Sequence, residues 1–195
     1  MTFYLAIDKT LTKFTPFAVF AISSVDVNFK TVSEAGLYEN LSKVCLMLNK
    51  HSVEYLVVGG TAVAIHGFYR LSMTVEGIPE EKHDFDFWYN PTYPNYYKLL
   101  DALEELGQDM SEWRAEQTPN PKKSFFKIDW ANFRTDFLPE INGLSKFSDS
   151  YKKRSIETFG GTNADIICYQ DLIDSKKASG RKKDIDDIEN LNSKN

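Results

Sequence analysis

The run Val53-Glu54-Tyr55-Leu56-Val57-Val58 is β-branched and aromatic, and it stops abruptly at Gly59-Gly60. A buried strand enters a tight turn in this way. Thr61-Ala62-Val63-Ala64-Ile65-His66 follows with helix-forming composition and a glycine stop at Gly67. A strand, a glycine turn and a short helix in direct succession predict an α/β (α+β) fold.

The flanking segments extend that reading. Upstream, the stretch from Ser33 to Lys50 places Leu37, Leu41, Val44, Cys45 and Leu48 on one stripe, as an amphipathic helix does. Downstream, Leu71 to His83 carries Gly77, Pro79 and three glutamates without periodicity, which predicts a long loop. A second strand is expected over Asp84-Phe85-Asp86-Phe87-Trp88-Tyr89. A helix should then run from Asn95 to Leu106 and be capped by Gly107. The polar segment from Gly107 to Ser124 predicts a connector that adds little to the core. Phe125 to Trp130 and Thr135 to Pro139 alternate at strand period and predict an antiparallel pair. A short strand at Ala164 to Cys168 precedes two helices, Tyr169 to Ser179 and Lys183 to Leu191, separated by Gly180.

At 195 residues, and with roughly 150 per domain as a guide, the chain predicts one domain with an appendage: an N-terminal extension over 1–32 and a main domain over 33–195. The apolar share of 42% can build a core. Lys and Arg number 23 against 28 Asp and Glu, so no global positive field draws in nucleic acid, and a polyanion must be met by a local patch. Cys45 and Cys168 have neither disulfide-framework nor zinc spacing and are expected to be reduced, buried and inert. No apolar run is long enough to span a membrane as a helix, and a cytoplasmic protein is expected. The stretch Phe14 to Ile22 loosely imitates a signal peptide, but Asp8 and Pro16 interrupt the pattern; a strand or a peripheral extension is the preferred reading.

Three features carry chemistry. The glycines at 59 and 60 lack Cβ atoms, so phosphate oxygens can approach the backbone at the start of a helix, although a plain turn uses the same residues. Asp84 and Asp86 share one face of a strand, where aspartate is disfavoured; an acidic edge strand and a divalent-metal site are the two explanations. Asp136 lies in a strand-like run that could pair alongside and add a third oxygen donor. Carboxylates about 4 Å apart repel by on the order of 4 kcal/mol at an effective dielectric of 20. A hard cation removes that penalty, and Mg²⁺ takes oxygen ligands shared with substrate phosphates.

Together these residues resemble the small nucleotidyltransferases of the DNA polymerase β superfamily, and among them the bacterial stand-alone proteins of abortive-infection and toxin–antitoxin systems. The resemblance covers LNKHSVEYLVVGGTAVAIHGFYR, DFDFWYNPTYPNYYKLLDALEELG, TDFLPEI and ICYQDLIDSKKASGRKKDIDDIENL. It implies a small mixed β-sheet flanked by helices. It further implies that Gly59, Gly60 and Thr61 hold a triphosphate, that Asp84 and Asp86 bind metal, and that Asp136 is the third carboxylate, activating an acceptor. Arg70 matches an arginine of these relatives. Lys176, Arg181, Asp184 and Asp187 match a Lys, Arg-x-x-Asp-x-x-Asp signature, with Lys176 and Arg181 as candidate phosphate contacts; a mixed-charge helix surface reads the same way. The stretch from Leu71 to His83 is longer than its counterpart in the relatives, as a lid or as a mark of a decayed site.

The implied activity is transfer of a nucleoside monophosphate from an NTP to a hydroxyl of a tRNA, a protein or a small molecule, with two Mg²⁺ ions, or Mn²⁺ in their place. A cognate toxin or antitoxin partner is implied as well. The rival is a catalytically inactive nucleotide- or partner-binding regulator with the same fold.

Overall fold

In the computed structural model, residues 34–70 and 82–193 are described. The expected extension over 1–32 and nearly all of the Leu71 to His83 loop lie outside them, as does the junction between extension and domain.

The elements run α1 (Glu34–Lys50), β1 (Tyr55–Val57), α2 (Gly59–Ile65), β2 (His83–Tyr89), α3 (Tyr93–Glu105), α4 (Ser111–Ala115), β3 (Phe126–Asp129), β4 (Phe133–Leu138), α5 (Phe147–Lys152), β5 (Ser155–Phe159), β6 (Thr162–Ile166), α6 (Tyr169–Ser179) and α7 (Lys182–Asn192). The strands form one mixed sheet in the order β3-β4-β2-β1-β6-β5. β1 pairs antiparallel with β2 and parallel with β6. β2 and β4 are parallel, whereas β3 with β4 and β5 with β6 are antiparallel. The expected class, a mixed sheet flanked by helices, is what forms.

Period-two alternation divides β2 between two environments. Phe85, Phe87 and Tyr89 are fully buried. Phe87 stacks on Phe137 of β4 at 5.0 Å and meets Tyr55 of β1 edge-on at 5.7 Å. Phe126 continues this layer on β3, against Tyr96 of α3 at 5.8 Å. The expected stripe of α1 is buried throughout, from Leu37 to Leu48. Burying each such side chain contributes roughly 1.5–3 kcal/mol, so the layer of rings and leucines fixes strand register. A slip of one residue would carry Asp84 and Asp86 into it.

Three expectations need correction. The connector after Gly107 contains α4, and its Trp113 packs on Phe126 at 4.6 Å. The short strand before the last helices is half of a hairpin: β5 and α5 precede it, and the chain reverses at Gly160 and Gly161, with φ of 57° and 81°. Two consecutive positive-φ glycines give the turn whose twist suits paired strands. β5 escaped the pattern reading because it is an edge strand whose Ile156 is exposed, so the apolar contrast is weak. Cys168 is partly exposed at the start of α6 rather than buried, while Cys45 is buried. Among the described residues, no helix is long and apolar enough to cross a membrane.

Candidate active site

Parallel pairing of β2 with β4 sets Asp86 opposite Asp136 and Asp84 opposite Arg134. Antiparallel pairing of β3 continues both rows, with Lys127 opposite Asp136 and Asp129 opposite Arg134. Directly opposed residues share a sheet face, on strands about 4.8 Å apart. Three adjacent strands therefore present two rows on one face: Asp86, Asp136, Lys127 and Asp84, Arg134, Asp129.

The glycine turn closes on that face. Gly59 adopts φ of +62°, and a Cβ built on it would lie 2.0 Å from Asp86 Oδ2. Gly60 has open space around the corresponding position. The backbone seams the two elements together: Val58 N donates to Asp86 O at 2.9 Å, and Thr61 Oγ1 donates to Asp84 O at 3.3 Å. All five residues expected at the turn and the acidic strand, Gly59, Gly60, Thr61, Asp84 and Asp86, thus come together, and Asp136 joins them.

This gathering strains the ionised state. Burial pushes the Asp86 carboxyl up to about 7, Asp84 and then Asp136 add to the rise, and Lys176 and Lys183 oppose it. Asp136 is raised as well, by burial first and then by Asp84, against the pull of Lys127. Asp84 Oδ1 and Asp136 Oδ1 are buried without a hydrogen-bond partner. Buried polar atoms rarely stay unsatisfied, and acceptor-only oxygens facing other acids are suited to a cation. Among the described residues, no three His, Cys, Asp or Glu side chains form a ready-made metal cage. Mg²⁺ does not need one, since it binds through one or two carboxylates, waters and substrate phosphates. The donor set fits such an ion.

Arg70, Lys176 and Arg181 converge too, but on carboxylates. Lys176, 5% exposed, donates to Asp184 Oδ1 at 3.0 Å and Asp187 Oδ2 at 2.8 Å. Arg70 grips Asp187 with two bonds, of 2.6 and 3.1 Å, and Arg181 grips Asp184 with bonds of 2.6 and 3.2 Å. Burial disfavours charge on these acids, yet Arg181 with Lys176 at Asp184, and Arg70 with Lys176 at Asp187, hold both carboxyls below their usual range. The network ties α6, α7 and the segment after α2 together beside the acidic face, and the Asp86 charge reaches Arg181. Asp184 and Asp187 are the residues whose role sequence reasoning left open. With Leu191 they occupy the buried stripe of α7, a position that the packing of α6 on α7 reveals and the charge pattern alone does not.

His66 Nε2 lies 2.8 Å from Ile167 O, a structural role. Tyr89 and Tyr96 are buried, whereas Tyr93 and Tyr97 are exposed. The basic run Lys152-Lys153-Arg154 is largely engaged: Lys153 bonds Asp171 at 2.6 Å, and Arg154 sits 3.0 Å from Asp165 and over the Tyr151 ring.

No family model matches the sequence, and no curated protein does. Solved structures do match in three dimensions. A protein of Thermotoga maritima assigned as a nucleotidyltransferase superposes with a TM-score of 0.51 at 13% identity, over 85% of this chain and 98% of its own. The lincosamide antibiotic adenylyltransferase LnuA, solved with lincomycin bound, gives 0.50 at 19% identity, over 83% of this chain and 98% of its own. At such identities the likeness is one of fold: the chain has the nucleotidyltransferase fold.

Proposed function

We propose that this chain is a metal-dependent nucleotidyltransferase, whose catalytic domain begins near residue 33 and which moves a nucleoside monophosphate from an NTP to an acceptor hydroxyl. The supporting observation is the Asp86–Asp136 pairing against the Gly59 turn, with buried unpartnered carboxylate oxygens on Asp84 and Asp136. Asp84 and Asp86 would hold Mg²⁺, or Mn²⁺, on the triphosphate side, where it would supply positive charge to the phosphate oxygens and the leaving group, and Asp136 would add its oxygen to the metal site from the acceptor side. Thr61 and the glycine backbone orient the triphosphate. Asp136, at the outer edge of the acid row, takes the proton of the acceptor hydroxyl. The acceptor oxygen forms a bond to the α-phosphorus as the bond from that phosphorus to the β-phosphate bridging oxygen breaks, and pyrophosphate leaves. Arg70, Lys176 and Arg181 act as a positive wall behind Asp86, with Arg181 the most exposed of the three and the one able to turn toward phosphate.

The setting implied by the sequence motifs is a bacterial toxin–antitoxin or phage-defence system with a cognate partner, in the cytoplasm. A regulatory module that binds nucleotide without turnover is the second reading, favoured by one observation: all three candidate phosphate cations are engaged by Asp184 and Asp187. Incubation with Mg²⁺, each labelled NTP, and pools of tRNA, cell protein and small-molecule alcohols separates the two. Label transfer by the wild type and not by Asp84→Ala or Asp86→Ala supports the enzyme. Nucleotide binding with no pyrophosphate released on any acceptor supports the module.

A further inference from the structure

Negative charge is not spread evenly over the chain. Between Lys98 and Lys122 the sequence carries six acids against one base, Arg114, a surplus equal to the net charge of −5 of the whole chain. Arg114 is engaged within this stretch: it donates to Glu104 at 2.7 and 2.8 Å and also bonds Asp101, both on α3. Glu112 and Glu116 stay exposed on α4 and its C-cap, with no ion pair among the described residues. At four-residue spacing, two like charges repel each other across one helix face. Trp113 stands between them, and these three residues with Ala115 line a recess of about 550 Å³. The indole meets Phe126 at 4.6 Å on its inner side and borders the recess on its outer side.

The same surface continues along α3. Tyr93, Tyr97 and Asp101 recur every four residues and form one stripe, and the bond from Arg114 to Asp101 sets α4 against its end. Tyr93 is 58% and Tyr97 39% exposed, and Tyr93 with Pro94, Asn120 and Pro121 lines a second hollow of about 490 Å³. From Tyr93 to Asp101 the helix rises about 12 Å, the length of roughly four residues of extended chain. All of this lies on the sheet face opposite Asp84, Asp86 and Asp136, since Phe126, on which Trp113 packs, alternates with Lys127 along β3. An indole between two carboxylates suits a guanidinium, which stacks flat on the ring and forks to the acids beside it. A metal ion asks for more oxygen donors, and among the described residues no three such side chains gather to hold one. Nucleic acid would meet repulsion. The exposed tyrosines supply aromatic contact of the kind that interface cores use. We propose that the α3–α4 surface docks an extended, arginine-bearing segment of a partner polypeptide. One arginine lies over Trp113 between Glu112 and Glu116, and the residues beside it run along Tyr97 into the hollow at Tyr93. The acid face stays open while the partner is bound.

The test titrates the isotopically labelled full chain with a blocked peptide that sets one arginine about four residues from a leucine–proline pair. Versions with lysine and with glutamate in place of the arginine are run beside it. The readout is the Trp113 indole N–H signal, identified with Trp113→Phe, together with the backbone amides of α3 and α4. We expect these signals to move and saturate with the arginine peptide, at a Kd of about 0.1–1 mM. The lysine peptide should bind more weakly, and the glutamate peptide should move nothing. Glu112→Gln combined with Glu116→Gln should raise the Kd by about fivefold, and both residues are exposed, so folding is retained. An unchanged Kd in that double variant would overturn the inference. So would signals that move only on the acid face, or no movement at millimolar peptide. Movement of the same signals as the chain alone is concentrated would also overturn it, by giving the surface to a second copy. None of these readouts needs nucleotide transfer, so they are decided apart from the activity proposed above.

Discussion

Gly59 and Asp86 occupy interlocking space: a single added carbon on Gly59 would fall 2.0 Å from Asp86 Oδ2, 2.7 Å from its Cγ and 2.9 Å from its Cβ. Moving the carboxylate tip alone does not relieve this, because the Cβ is fixed by strand β2. The φ of +62° at Gly59 adds about 1–2 kcal/mol of strain for any L side chain. Gly59→Ala should therefore destabilise the protein by about 2–4 kcal/mol and abolish nucleotide binding. Gly60→Ala, in helix α2 with open space at its Cβ and no positive φ, should be neutral or stabilise by up to about 1 kcal/mol. Urea unfolding of the two variants checks the contrast.

The raised Asp86 carboxyl ties stability to pH. Its midpoint moves from 3.8 to about 7 on folding, so the folded state binds the proton more tightly than the unfolded one does. That contribution is whole below about pH 4 and is lost as pH rises toward 7, by on the order of 4 kcal/mol. In metal-free buffer, Asp86→Asn should be more stable than the wild type at pH 7 and above, with the difference vanishing near pH 4. Added Mg²⁺ should narrow or reverse the gap, because a cation stabilises the ionised wild type alone. Thermal melts of both proteins across pH, with and without Mg²⁺, test this, and a pH-independent difference would count against the clustered carboxylates.

Much of this was legible because local patterns and tertiary needs agree. Val53 to Val58 running into Gly59-Gly60 reads as a strand and turn in any context, and the alternation of Asp84, Phe85, Asp86 and Phe87 already divides a core face from a polar one. What the sequence does not show is which strands are neighbours. Lys127 becomes relevant to Asp136 only through the register of β3 on β4, and that pairing is decided by rings such as Phe126, Tyr96 and Phe137 meeting in the core. Lys176 and Arg181 were ambiguous for a related reason. Charges three residues apart look the same on a solvated helix and on one whose acids are buried, and only the packing of α6 on α7 distinguishes them.

The buried network sets a second pH response, of opposite sign. Asp184 and Asp187 titrate below their usual range in the folded protein, so their contribution is present at neutral pH and is lost as pH falls through the acid range. Asp187 is fully buried between Arg70 and Lys176, and Asp187→Ala leaves the half-buried Arg70 without its carboxylate and buried Lys176 with Asp184 alone, at a cost of about 3 kcal/mol. Arg181→Ala removes a side chain that is 60% exposed from an acid that keeps Lys176, and should cost about 1 kcal/mol or less. Denaturant midpoints at pH 7.5 would separate the two, and equal costs would mean that the network is solvated.

Asp136 differs from its two companions in where it stands. Asp84 and Asp86 lie on β2 beside the glycine turn, while Asp136 is one strand further out and has Lys127 on its other flank. If it serves the acceptor rather than the triphosphate, its removal should spare the nucleotide. Asp136→Asn should bind Mg²⁺-NTP within about threefold of the wild type and lose transfer by about 10²–10⁴-fold, the range of a missing general base. Asp86→Asn should lose binding and transfer together, since that carboxylate sits against the turn itself. Calorimetric titration with a non-hydrolysable NTP analogue, set beside pyrophosphate release with acceptor present, gives both readouts. Loss of nucleotide affinity in Asp136→Asn equal to that in Asp86→Asn would place all three acids on the triphosphate and leave the acceptor without a base.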